Sequence, residues 1–241
     1  MSIKLISFDF WGTLYHNKPS LVEKQNTVIQ QFLKRASFDD ALLDKVSKAI
    51  SFAWTKWDVL WKEEYRTLAV HDWLAIVLEY LEVELSEDFF TTCCSELQAL
   101  LFTGNTKEIP GVRPILESLY THYKLSIISD TGIESGDYMR RLIRKDKLDY
   151  FDYAVFSNEF GRSKPHSSLF NALLTYFQLE PEEVVHIGDL RRTDIEGAKS
   201  VGMHTIRFSG CKNDENSMYN EADFVIDDYA LLPGILEKLT R

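Results

Sequence analysis

Val184-Val185-His186-Ile187-Gly188-Asp189-Leu190-Arg191-Arg192-Thr193-Asp194 reads as a strand running into a polar loop. Residues 184–187 are a short, mostly apolar run, the pattern of a strand covered on both faces. The run stops at Gly188-Asp189, and a helix-like segment follows over residues 194–201. In parallel α/β sheets, ligands bind beyond the carboxyl ends of the strands. Asp189 and Asp194 therefore stand where chemistry is expected.

The same pattern spreads outward from this stretch. Residues 3–8 form a first strand that stops at Asp9, with Gly12 and Thr13 in a tight turn. Further apolar runs lie at 125–128, 154–156, 205–208 and 224–226, separated by helix-like segments such as 112–120 and 169–177. Alternating strands and helices predict a Rossmann-like α/β fold, a parallel sheet with right-handed crossovers. Between about residues 16 and 105 the pattern is helical throughout. Ser20 with Glu23 forms a capping box for a first helix. Ile50, Trp54, Trp57 and Trp61 mark one face of a second, Trp73, Val77 and Leu81 mark a third, and Ser86 caps a fourth that runs to about Leu101. The expected organisation is an α/β core of residues 1–15 and 106–241 with a helical bundle, residues 16–105, inserted after the first strand. The tryptophan stripe is expected to be core packing, with one or two rings at a cleft.

Composition narrows the class. The 241 residues are 45% hydrophobic and 27% charged, as in ordinary globular chains. Lys plus Arg number 27 against 37 Asp plus Glu, a net charge of −10. That balance argues against nucleic acid or an anionic membrane as partner, since both select a basic surface. It leaves room for a small phosphorylated substrate, because a metal ion or a few lysines invert the local field. Cys93, Cys94 and Cys211 form neither a disulfide framework nor a CxxC metal motif and are expected to be reduced thiols. No signal peptide or membrane-length apolar run is visible, so a cytoplasmic location is expected.

Four segments carry polar residues suited to chemistry. They are Phe8-Asp9-Phe10-Trp11-Gly12-Thr13-Leu14, Ile127-Ile128-Ser129-Asp130, Gly161-Arg162-Ser163-Lys164-Pro165 and the opening stretch through Asp194. Their order, with Gly197-Ala198-Lys199 and Gly202-Met203 after the last, resembles the four motifs of the haloacid dehalogenase superfamily. The inserted helices fall where that family carries a helical cap, and the resemblance covers essentially the whole chain.

The resemblance implies a hydrolase in which Asp9 attacks phosphorus and forms an aspartyl-phosphate that water then cleaves. It implies Mg²⁺ held by Asp9, Asp189 and the Trp11 backbone carbonyl, with Asp194 at or beside the ion. Lys164 would neutralise charge on the nucleophile, Ser129 and Asp130 would meet the phosphoryl group, and Thr13 would help the turn that aims Asp9. Arg191 and Arg192 are expected to be solvated loop residues. Arg140, Arg141, Arg144, Lys145 and Lys147 are expected on an exposed helix face.

One position departs from the family pattern. Family phosphatases carry a second Asp two residues after the nucleophile, where this chain has Trp11. An indole neither gives nor takes a proton, so general acid–base assistance of roughly 10²–10⁴-fold is missing unless another group supplies it. His16, close in sequence, is expected to be structural, and an acid from the inserted helices is the other candidate. The expected function is a Mg²⁺-dependent phosphoester hydrolase with atypical acid–base catalysis. The alternatives are a catalytically weak binding or regulatory protein of the same fold and a metal-independent 2-haloacid dehalogenase. Retention of Asp189 and Asp194 speaks against the last.

Overall fold

The computed structural model describes residues 2–16, 21–102 and 106–240. The first strand, β1 (Leu5–Phe8), is buried along its whole length. Five helices follow: α1 (Val22–Arg35), α2 (Asp40–Leu43), α3 (Val46–Glu63), α4 (Val70–Leu81) and α5 (Glu87–Ala99). Strands and helices then alternate: α6 (Val112–Leu119), β2 (Lys124–Ser129), α7 (Gly136–Lys145), β3 (Tyr153–Phe156), α8 (Ser157–Phe160), α9 (Ser167–Phe177) and β4 (Val184–Gly188). The chain closes with α10 (Glu196–Ser200), β5 (His204–Phe208), β6 (Phe224–Ile226) and α11 (Leu232–Leu239).

The strands form one sheet in the order β3-β2-β1-β4-β5-β6, with every neighbouring pair parallel. Successive side chains alternate across it. Ile6 and Phe8 pack with α6, α7 and α11 through Leu116, Met139 and Leu232. Leu5 faces the opposite layer, with Leu169 and Phe170 of α9 and Ala198 of α10. Burial on both sides explains why most of the strands read as largely apolar runs.

The inserted helices have an apolar cluster of their own. Ile29, Phe32, Ile50, Val77, Cys93 and the wholly buried Trp73 belong to it, together with Ile133 from the turn after β2. Ser86 caps α5, its hydroxyl accepting from the Phe89 N–H at 3.5 Å. Ser20 lies outside the described residues, and the described part of the first helix starts at Val22 without a side-chain cap. The short α2, capped by Asp39, was not anticipated.

Two expectations change. The segment after β4 opens earlier than residue 194, as a π-helical turn over Arg191–Ile195 that leads into α10. The basic run on α7 is only partly a solvated face. Arg140 pairs with Glu159 and covers the Phe156 ring, and Arg141 lies over Phe102 and Tyr138. No described helix is long and apolar enough to cross a membrane.

Candidate active site

β1, β2 and β4 are adjacent and parallel, so their carboxyl ends bring Asp9, Asp130 and Asp189 to one edge of the sheet. Lys164 enters from the loop between α8 and α9. Its Nζ lies 2.5 Å from Asp9 Oδ1 and 2.5 Å from Asp194 Oδ1, and all three side chains are buried. Carboxylate oxygens of Asp9, Asp189 and Asp194 lie within 4.8 Å of one another.

Two glycines permit this crowding. A Cβ on Gly12, whose φ is +78°, would stand 2.3 Å from Asp189 Oδ2. One on Gly188 would stand 2.2 Å from Asp194 Cγ. Neither position can carry a side chain while the carboxylates stay in place.

Asp194 is saturated with donors. Oδ1 accepts from Lys164, with His186 Nε2 at 3.3 Å. Oδ2 accepts from the Leu190 N–H at 3.0 Å and the Thr193 hydroxyl at 3.1 Å. Burial opposes its ionisation, yet Lys164 and these donors hold it well below the usual carboxylate range. The opposite holds for its neighbours. Burial pushes Asp9 up to about 7 despite Lys164, and burial with the charges of Asp9 and Asp194 pushes Asp189 well up. Lys164 stays charged: burial disfavours the ammonium, but Asp194, Asp9 and Asp130 outweigh it. One lysine thus faces a larger negative charge, with Asp9 and Asp189 driven towards protonation. A divalent cation fits such a set of hard oxygen donors and would relieve that repulsion.

Asp130 braces the site. Its Oδ1 accepts from the Lys164 backbone N–H at 2.9 Å and its Oδ2 from Trp61 Nε1 at 2.7 Å. Burial raises its pKa, against the Lys164 charge and the Trp61 hydrogen bond. Ser129 and Thr13 are fully buried behind the cavity wall. The Ser129 hydroxyl donates to the Asp130 carbonyl at 3.2 Å, and Thr13 Oγ1 is buried without a hydrogen-bond partner.

Above the acids opens a cavity of about 590 Å³. Asp9, Trp11, Asp130, Lys164 and Asp189 line its base, and Trp54, Trp57 and Trp61 of α3 form a wall. This shifts the expectation of core packing with one or two rings at a cleft: all three rings reach the cavity, while Trp54 and Trp57 also pack against the helical cluster. Three indoles, spaced so as to share one face of α3, reach the cavity half-buried, while Trp73 of α4 is the one sealed inside. These indoles are also all that the inserted helices contribute to the wall among the described residues, so no acid comes from there. His16 does not line the cavity and contacts Cys211, its Nδ1 lying 3.4 Å from Sγ.

Several site residues escaped sequence reasoning. Lys212, Asn213, Asp214 and Glu215, after β5, complete the wall. They follow a strand's carboxyl end, which is the signal that could have found them. Arg191 and Arg192 are partly buried and engaged with neighbours. Arg191 binds Glu221 at 2.7 Å, and the Arg192 guanidinium sits 4.0 Å from the centroid of the Trp61 ring. His186, buried beneath Asp194 with Nδ1 3.0 Å from the Ser7 hydroxyl, has its pKa lowered by burial.

The sequence profile of the haloacid dehalogenase-like hydrolases matches residues 6–208. A glyceraldehyde 3-phosphate phosphatase of Pyrococcus furiosus is 37% identical over 139 residues, 56% of this chain and 55% of that protein. A phosphorylated carbohydrates phosphatase of Thermotoga maritima is 31% identical over 133 residues, 55% of this chain and 61% of that one. The chain spans about half the length of the curated relatives it matches. Among solved structures, a 2-haloacid dehalogenase from Pseudomonas syringae shares the fold at TM-score 0.71 and 22% identity, covering 98% of this chain and 99% of that chain. A HAD phosphatase from Thermococcus onnurineus aligns at TM-score 0.65 and 23% identity, covering 97% and 98%. With the profile spanning most of its length over the parallel sheet and the acidic strand ends, the chain belongs to the haloacid dehalogenase-like hydrolases.

Proposed function

We propose that this protein is a Mg²⁺-dependent phosphohydrolase that cleaves a small-molecule phosphoester through an aspartyl-phosphate on Asp9. The observation that carries the reading is Lys164 Nζ at 2.5 Å from both Asp9 and Asp194, beside Asp189 at the base of a cavity. Mg²⁺ would be held by Asp9, Asp189 and the Trp11 backbone carbonyl, with Asp194 completing the acidic set. When bound, the ion supplies positive charge that lets a phosphate dianion approach a carboxylate.

The chain's own residues do the rest. Lys164 orients Asp9 through a hydrogen bond and neutralises charge on the transferring group. Asp194, fixed by Leu190, Thr193 and His186, holds the Lys164 ammonium in place. Asp130 anchors the Lys164 backbone, and Ser129, buried behind the wall, would have to turn its hydroxyl from the Asp130 carbonyl towards the cavity to meet a phosphoryl oxygen. Thr13 shapes the turn that aims Asp9. Residues 16–105 act as the cap over a core of 1–15 and 106–241. The curated relatives named as phosphatases support a phosphorylated small molecule as substrate.

Acetyl phosphate, whose carboxylate leaves without help, is the first substrate to test. The expected result is hydrolysis that needs Mg²⁺, stops with EDTA and is absent from Asp9→Asn. Release of halide from a 2-haloacid without Mg²⁺, with no phosphate released from acetyl phosphate, would overturn the reading.

A further inference from the structure

Two independent features of the cavity bear on what leaves when the phosphoester is cut. The first is chemical. Trp11 lines the base of the cavity beside Asp9 and cannot protonate a leaving oxygen. Of the acids that share the wall, Asp130 and Asp214 are committed elsewhere, while Glu215 is a solvent-exposed side chain of the segment after β5. Both oxygens of Asp130 accept hydrogen bonds, from Lys164 and Trp61. Both oxygens of Asp214 accept backbone N–H groups, from Arg191 at 2.7 Å and Asn216 at 3.0 Å. With an indole beside Asp9 and both of these carboxylates engaged, the site favours a leaving group that departs as an anion. A phenol ionises near a pKa of about 10, as the tyrosine side chain does, against about 16 for water, so a phenolate leaves unaided where an alkoxide does not.

The second feature is the wall. Trp57 and Trp61 are stacked with centroids 5.4 Å apart, and Trp54 meets Trp57 edge-on at 5.8 Å. Trp61 is pinned on two sides, by Asp130 at its N–H and by Arg192 over its ring. Trp54 is tied by its N–H to Gln25 at 3.2 Å. An aromatic surface held this firmly loses little entropy when a flat ring docks on it. The volume of about 590 Å³ lies within the roughly 300–1,000 Å³ of sites that enclose organic ligands.

Building on the phosphohydrolase reading, we propose that the substrate is an aryl phosphate, with its ring against Trp54, Trp57 and Trp61 and its phosphoryl group at Asp9. An Asp9 oxygen attacks phosphorus, the bond between phosphorus and the aryl oxygen breaks, and the phenolate leaves with the electron pair and takes a proton from solvent. Water then attacks phosphorus, the bond to Asp9 breaks, and the carboxylate returns as the water's protons pass to phosphate and solvent.

The test compares phenyl phosphate, glycerol 3-phosphate and acetyl phosphate with Mg²⁺ present. Acetyl phosphate has a good leaving group and no ring, so it separates the two features. For the wild type, kcat/KM for phenyl phosphate should exceed that for glycerol 3-phosphate by roughly 10²–10⁴-fold. Trp57→Leu should lower the ratio of kcat/KM for phenyl phosphate to that for acetyl phosphate about tenfold, and Trp57→Phe should restore most of it. In parallel, phenylphosphonate should quench tryptophan fluorescence with an affinity about tenfold above that of methylphosphonate. The proposal is overturned if glycerol 3-phosphate is cleaved as well as phenyl phosphate, if the ratio survives Trp57→Leu, or if the two phosphonates bind alike. In each of those cases Asp9-dependent turnover of acetyl phosphate leaves the phosphohydrolase reading standing. Absence of turnover of all three phosphates removes both.

Discussion

Gly12 lets two acids from different strands meet. Its φ of +78° favours a residue without a side chain, and Asp189 Oδ2 fills the space a Cβ would take. Gly12→Ala should therefore displace either the turn after β1 or Asp189. We expect a loss of about 1–3 kcal/mol in thermal unfolding, together with loss of phosphate hydrolysis. Unchanged melting temperature and turnover in the Gly12→Ala variant would show that the contact is not needed. At this scale the sequence was informative about residues that carry charge. Asp9 and Asp189 follow strand ends, Asp194 lies in the turn just beyond β4 and Lys164 on a connecting loop, and the four converge. What it concealed were roles set by distant partners. Nothing around Asp130 announces an indole from α3, and nothing around His186 announces its contact with the Ser7 hydroxyl. Those pairings depend on how far apart in sequence the touching residues are, which local patterns do not record.

On α3 the helical periodicity marks the buried face, and the share of that face given to the cavity is larger than expected. The spacing of Ile50, Trp54, Trp57 and Trp61 marks one face, but that face runs from the helical cluster at Ile50 to the cavity at Trp61. A hydrophobic stripe looks the same whether other side chains or a ligand will cover it. Trp61→Phe keeps a ring under Arg192 and removes the hydrogen bond to Asp130. The expected cost is about 1–2 kcal/mol, since the acceptor is charged but the pair is only part-buried. Urea unfolding measures it, and no change would mean that water replaces the indole without loss. β5 carries a second tie. Arg207 binds Glu221 through Nε at 2.7 Å and Nη2 at 2.9 Å, and Arg191 binds the same carboxylate. The hydrogen bond from Arg207 lowers the Glu221 pKa from 4.5 to about 2. A carboxylate lowered on folding adds stability above its ordinary pKa and loses it as pH falls towards the folded value. The wild type should lose stability on acidification from roughly pH 5 to 3, and Glu221→Gln should lose less across that range. Equal urea midpoints for the two proteins throughout would refute the linkage.

The whole molecule carries a net charge of −10, yet the chemistry proposed for it draws in a phosphate dianion. The attraction is local, to Lys164 and a cation, while the outer field repels. Screening that field should speed encounter. The association rate of phenylphosphonate, followed by stopped-flow fluorescence, should rise as salt increases from about 0.01 to 0.15 M. A fall would place an attractive surface around the cavity mouth. At this scale all six strands were legible, most of them because burial on both faces leaves largely apolar runs. The π-helical turn was not, since its backbone is shaped by Asp194 accepting from Leu190 and Thr193. The place of β1 in the sheet has one more consequence, for assembly in time. Leu5 pairs with Lys124 on one side and Val184 on the other, so β1 is synthesised before either neighbour exists. Five helices with an apolar cluster of their own are made in between and can fold while it waits. Once folded, they would shorten the loop that β1 and β2 must close, leaving nucleation of the sheet to the later-made strands.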